Sequence, residues 1–275
     1  MDSLNPEAIA HYDEGREHDR LTTPHGRLEF ERSKDVIARN IFKAPAKVLD
    51  LGGGTGHYSF WLANQGYEVH LVDAMESHIE TAKKVVQFYS VKTMSVGDAR
   101  GTGFSDESFD IVLMMGPLYH LTDKRDRIKA LEEAKRVLKP GGRIMAVCIT
   151  KFASLLDGYH AGFIDDGYFQ SIVKQDLIDG QHRNPKNHPH YFTTTKFHEP
   201  SEFRLEIEEA GFFDVRLNAI EGFAGFIPDL VTRLNDPEKK AMLYEHLRSI
   251  EMEPSLLGGS AHIMAVARKW NTPRE

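Results

Sequence analysis

A chain of 275 residues with 41% apolar and 27% charged side chains has the composition of a globular protein with a full core. Its 34 basic against 41 acidic side chains, a net charge of −7, exclude a general attraction to phosphate backbones or anionic lipid. The lone cysteine, Cys148, rules out an internal disulfide, and no apolar run approaches the ~20 residues of a membrane-spanning helix.

The start, Met1-Asp2-Ser3, has neither the basic nor the apolar part of a secretion signal, so a cytoplasmic protein with no nucleic-acid or membrane partner is expected. Glu29 to Phe42 has helical spacing through Phe30, Val36, Ile37 and Ile41, and Pro45 ends it. Lys47 to Leu51 is the first strand. Tyr58 to Gln65 is a helix closed by Gly66, and Glu68 to Asp73 is the second strand. A helix over Glu76–Phe88 and a short strand over Thr93–Val96 follow. Phe109 to Met115 is too continuously apolar to be half exposed, as buried parallel strands are.

Asp123 caps a helix with Ile128, Leu131, Ala134 and Val137 on one face, and Pro140-Gly141-Gly142 stops it. Arg143 to Ile149 is the fifth strand, with Cys148 inside it as a buried small hydrophobe. Lys151 to Pro200 then lacks a sustained period and reads as an inserted lid with short helices at Ala153–Ala161 and Tyr168–Leu177. Ser201 caps a helix ending at Gly211. Phe213–Ala219 and His262–Arg268 are the last two strands, with a second insertion over 222–260 between them. The alternation predicts an α/β fold: a Rossmann-like seven-stranded sheet, mostly parallel with the last strand antiparallel, and helices on both faces. One domain is expected over the whole chain. It divides into a cap over 1–45, a core over 46–150, and the lid segments.

The chemistry concentrates in Val48-Leu49-Asp50-Leu51-Gly52-Gly53-Gly54-Thr55-Gly56, a buried strand that runs through glycines into a helix. Glycines let a backbone turn sharply and bring helix N-terminal N–H groups against a ligand. The spacing is not the dinucleotide Gly-x-Gly-x-x-Gly, and Asp50 would repel a pyrophosphate; an acid there suits a ligand with an ammonium group. Asp73 ends the second strand, where an acid accepts from ribose hydroxyls. Asp98 follows the third strand, where an acid can accept from an adenine amine. Ligands of open α/β sheets bind at such carboxyl ends.

With these residues in place, the chain from about 45 to 150 resembles the core of the class I S-adenosylmethionine (SAM)-dependent methyltransferases. Val48–Gly56 is similar to that superfamily's glycine-rich motif, Val72-Asp73 to its ribose-binding acid, and Gly97-Asp98-Ala99 to its adenine-side motif. Arg136–Gly142 is similar to the Leu-x-Pro-Gly-Gly turn of many small-molecule members. The resemblance implies SAM as cofactor, contacting Gly52, Gly53, Gly54, Asp73, Ala74, Asp98, Ala99, Arg100 and Met115 as well as Asp50. It also implies that Tyr12 touches the cofactor and that Arg20 or Arg32 pairs with its carboxylate.

The fourth strand leads into Met114-Met115-Gly116-Pro117-Leu118-Tyr119-His120. Gly116 stands where amide and adenine methylases carry Asp or Asn, which argues against such targets. His120 is the candidate general base, with Tyr119 beside it. Tyr159, His160 and Tyr191 in the lid are candidate acceptor contacts, with Tyr168, Phe169 and Phe192 nearby in sequence. His188-x-His190 lacks the helical spacing of a zinc pair, and His160, His182 and His198 have no cysteine or acid at zinc-like spacing, so no metal is expected. The expected function is methyl transfer to N, O or S of a small molecule. An RNA or protein methyltransferase, a SAM-binding protein without transferase activity and a nicotinamide-dependent oxidoreductase are the competing readings.

Overall fold

The structure, a computed structural model, describes residues 23–86, 89–186, 188 and 191–271. Helix α1 (Pro24–Asn40) starts where Thr23 accepts a hydrogen bond from the Gly26 N–H at 3.1 Å, with Pro24 at the first helical position. Strands β1 (Lys47–Leu51), β2 (Glu68–Asp73), β3 (Thr93–Val96) and β4 (Phe109–Met114) are parallel, in the order β3-β2-β1-β4. Between them run α2 (His57–Asn64) and α3 (Glu76–Val85). A four-residue turn of helix, α4 (Pro117–His120), leaves β4, and α5 (Lys124–Val137) starts on Asp123, whose carboxylate accepts from the Arg125 N–H.

Strand β5 (Leu138–Thr150) begins five residues earlier than its sequence suggests. Pairing passes from Phe109↔Leu138 to Ile111↔Arg143, so Pro140-Gly141-Gly142 forms a bulge inside the strand rather than a stop before it. Gly141 takes a φ of +75° there. On its other side β5 pairs antiparallel with β9 (His262–Arg268), and β8 (Phe213–Ala219) lies antiparallel beyond that. The sheet has nine strands rather than seven. The two extra, β6 (Gln181–His182) and β7 (Thr195–His198), lie in the first insertion, where β7 pairs parallel with Ile149 and Thr150.

Strand alternation feeds two cores. Leu49, Leu51, Val112 and Ile144 face one way and meet Leu131 and Ala134 of α5, and Phe203 and Ile207 of α8 (Pro200–Glu209). Val48, Ile111, Leu113 and Met145 face the other way, against Val36 and Ile37 of α1 and Leu62 of α2. Helices thus cover both faces, and every loop leaving β1, β2, β3 and β4 emerges at one edge.

The first insertion is built around α6 (Ala153–Ala161) and α7 (Gly167–Asp179), with its own core of Phe169, Ile172, Val173 and Tyr191. Buried Asp176 anchors it, accepting from Ser154 Oγ at 2.7 Å and His182 Nδ1 at 2.8 Å. The second insertion carries α9 (Leu230–Asn235) and α10 (Pro237–Ile250), whose Leu234, Leu243 and Leu247 pack on Leu28 of α1. Among the described residues, no helix is long and apolar enough to cross a membrane.

Candidate active site

A cavity of about 840 Å³ opens at the edge where the loops of β1 to β4 emerge. One half is walled by the glycine turn, Asp73 to Met75, His78 and the loop 96–103. The other half is walled by Glu29 and Ser33 of α1, Met115 to Pro117 and Tyr119 to Thr122 around α4, Val147 of β5 and His262 of β9.

The glycine turn has the conformation its residues permit. Gly52 and Gly54 hold φ values of +72° and +57°, a region that costs side chains with a Cβ roughly 1–2 kcal/mol. A Cβ on Gly52 would stand 2.7 Å from Pro117 Cδ, so this residue also lets the loops after β1 and β4 touch. The Gly54 N–H donates to Asp73 Oδ2 at 2.8 Å, while Asp73 Oδ1 accepts from the Met75 N–H at 2.9 Å and meets His78 Nδ1 at 3.0 Å.

Asp50 departs from expectation. It is 0% exposed and absent from the cavity wall, because its side chain turns beneath the glycines to accept from Ser59 Oγ of α2 at 2.7 Å. Burial, opposed by the Ser59 hydrogen bond, raises its carboxyl to about 6. Its Oδ1 has no hydrogen-bond partner. The acid thus underlies the glycine turn, a Cβ on Gly53 standing 2.6 Å from its Cγ, and does not form part of the cavity wall.

Asp98 lies on the wall in a fork with Arg100: Nη2 donates to Oδ2 at 2.6 Å and Nε to Oδ1 at 3.0 Å. That guanidinium holds the Asp98 carboxyl below the usual range and reaches Asp126 at 3.0 Å. Ala74, Ala99 and Met115 also line the cavity. Tyr119 and His120 stand together on the opposite half, ring centres 4.6 Å apart, with the Tyr119 hydroxyl donating to the Met115 carbonyl at 3.2 Å.

Other expected residues lie elsewhere. Arg32 is fully buried, paired with Asp35 at 2.5 Å and Glu251 at 2.6 Å and donating to the Ile220 carbonyl, so it is not a carboxylate clamp for a ligand. Tyr159 is 71% exposed, and His160 stacks edge-on against His25. Tyr191 is 5% exposed within the insertion's own core. Among the described residues of 151–200, none lines the cavity. His182 and His198 are spent on Asp176 and Glu206. Tyr12, Arg20 and His190 lie outside the described residues.

The cavity also holds residues that periodicity does not single out: Glu29, Ser33, His57, His78 and His262. Behind His262 stands Glu221, which follows β8. Glu29, Glu221 and His262 present ligand-type atoms within 4.8 Å of one another.

The glycine turn and the acids Asp73 and Asp98 on the cavity wall suit SAM, an adenosine that carries an amino-acid tail. A family model described as a methyltransferase domain matches residues 48–142. The ubiquinone/menaquinone biosynthesis C-methyltransferase of Zymomonas mobilis is 30% identical over 196 residues, covering 69% of this chain and 76% of that one. The uncharacterized methyltransferase YcgJ of Bacillus subtilis is 35% identical over 107 residues, which cover 38% of this chain and 41% of that protein. A SAM-dependent methyltransferase from Methanosarcina mazei superposes with a TM-score of 0.57 at 20% identity, over 86% of this chain and 98% of that one. The chain belongs to the class I SAM-dependent methyltransferases. It is an enzyme of that kind, with SAM as its cofactor.

Proposed function

We propose that the acceptor is a small molecule seated between α1, α4 and the start of β9, with SAM along the glycine turn. The observation that carries this is the charge of the wall. Among the described residues, its lining has the carboxylates of Glu29, Asp73, Asp98, Asp123 and Asp126 against the guanidinium of Arg100. A polyanion would meet net repulsion there, where an RNA-modifying enzyme presents a basic rim.

SAM supplies an electrophilic methyl group on a sulfonium. Gly52, Gly53 and Gly54 would hold it by close backbone approach, Asp73 by its ribose, and Asp98, Ala99 and Arg100 at the adenine end. Ala74 and Met115 would pack against it. The protein's main contribution is alignment, since holding two reactants in place can supply ~7–11 kcal/mol. Tyr119 and His120 orient the acceptor. N, O and S are the acceptor atoms first expected, and the Zymomonas relative, named for C-methylation, adds an activated carbon.

Incubating the enzyme with methyl-labelled SAM and a metabolite extract, then identifying products by mass, tests the reading. Label in a small molecule supports it; label only in RNA or protein overturns it.

A further inference from the structure

Where β8 ends and β9 begins, a histidine on the cavity wall is paired with a buried acid behind it. His262 opens β9 and lines the acceptor half. Its Nδ1 meets Glu221 Oε1 at 2.6 Å. Glu221 is buried, and its other oxygen accepts from the Ser260 hydroxyl at 2.7 Å and from the backbone N–H of His262 at 2.9 Å. An ionised carboxylate only accepts, so Nδ1 carries the proton and Nε2 is the ring nitrogen that can take another. Glu29 of α1 adds a second carboxylate 3.9 Å from Nδ1.

We propose that His262, oriented by Glu221, is the base that removes a proton from the acceptor as it is methylated. The inference rests on the small-molecule reading above and assigns that site's acceptor class: a nucleophile that arrives protonated, such as a phenol or an enol. The acceptor's electron pair forms the bond to the methyl carbon while the carbon–sulfur bond breaks with its pair going to sulfur. The acceptor's proton passes to His262 Nε2, and the resulting imidazolium is balanced by Glu221 and later returns the proton to water. Glu221 is the positioning residue. Burial acts to raise its carboxyl, but the charge His262 gains with its second proton, and the hydrogen bonds of His262 and Ser260, bring the net effect below the usual range, so it stays an acceptor. Arg32 of α1, which donates to the carbonyl of Ile220 next to Glu221, is committed to Asp35 and Glu251.

The role expected of His120 moves accordingly. His262 stands on a seven-residue strand with a buried acid fixing its tautomer.

Two measurements on the full chain test the proposal. In ¹⁵N-histidine-labelled protein at alkaline pH, His262 should be the Nδ1-protonated tautomer, and Glu221→Gln should shift the proton to Nε2. With methyl-labelled SAM and metabolite extract, His262→Gln should label small molecules at least ~100-fold more slowly, with S-adenosylhomocysteine affinity within about twofold. The fall in rate at low pH should vanish in that variant, and Glu221→Asp should recover part of what Glu221→Gln loses. An Nε2-protonated wild type, or near-normal labelling by His262→Gln, would overturn the proposal. So would tight zinc binding lost in Glu29→Ala, which would make the cluster a metal site. Wild-type enzyme that labels no small molecule overturns the acceptor reading instead, and the base assignment falls with it.

Discussion

Asp73 Oδ2 accepts the Gly54 N–H at 2.8 Å, so the acid at the end of β2 holds the turn that follows β1. One carboxylate thus shapes the cofactor half and faces it. Asp73→Ala should weaken S-adenosylhomocysteine binding by about 1.5–3 kcal/mol, the worth of hydrogen bonds to a charged acceptor. Calorimetry reads this directly, and an unchanged affinity would remove Asp73 from the ribose site. The same titration with NAD should give no heat of binding.

His120→Ala should act on acceptor binding more than on the chemical step. Loss of one orienting hydrogen bond, about 0.5–1.5 kcal/mol, corresponds to a KM raised roughly two- to twelvefold with SAM affinity little changed. A kcat lowered a hundredfold or more, with a lost acidic limb, would return the base to His120 and take it from His262.

Buried Arg127 joins α5 to α8 through Glu206, with contacts of 2.8 and 2.6 Å, and His198 of β7 adds a third at 3.3 Å. Burial works to raise Glu206, but Arg127 and His198 carry it down to about 2. A depressed acid contributes stability that is present above its unfolded value near 4.5 and lost as pH falls toward 2. Glu206→Gln should therefore cost about 3 kcal/mol at pH 7, and the gap from wild type should close between pH 4 and 2. Thermal melts across that range check it; a gap independent of pH would mean the loss is one of packing alone.

The first insertion has a core of its own, and its described residues stay off the cavity wall. Amides of α7 should therefore be protected from exchange without ligand. S-adenosylhomocysteine should slow exchange chiefly in the glycine turn and in 96–103. Hydrogen-exchange mass spectrometry separates these segments, and a large ligand-induced slowing confined to α7 would make the first insertion the lid its sequence suggests.

Much of the fold was legible because local pattern and tertiary role agree. Segments rich in apolar residues mark β1, β2, β4 and β9, and Ala153–Ala161 forms the helix its composition suggests. Strands β6 and β7 escaped because one has two residues and the other is buried on both faces, so neither alternates. The Pro140-Gly141-Gly142 bulge escaped because the same residues stop a helix as readily as they bend a strand. In the site, acids after successive strands were legible because parallel topology itself gathers them at one edge. Arg32 was misjudged because a helical arginine reads the same whether it meets a ligand or a buried Glu251, 219 positions away. Glu221 and His262 were invisible for the same reason: two residues 41 apart become partners only when β8 and β9 pair.

The reversal of β9 has a consequence for synthesis. Running antiparallel to β5, it delivers its first residue, His262, to the edge where the parallel strands end. On the ribosome, residues 47–150 can emerge and pair long before residue 262 does, so the glycine turn can form while the acceptor wall is still missing. Until β9 arrives, β5 exposes Arg143 to Ile149 as an open edge, the kind of surface that recruits strands from other chains. A nascent chain stalled before residue 262 is therefore a candidate for aggregation and for chaperone capture, carrying the cofactor turn without the strand that completes its cavity.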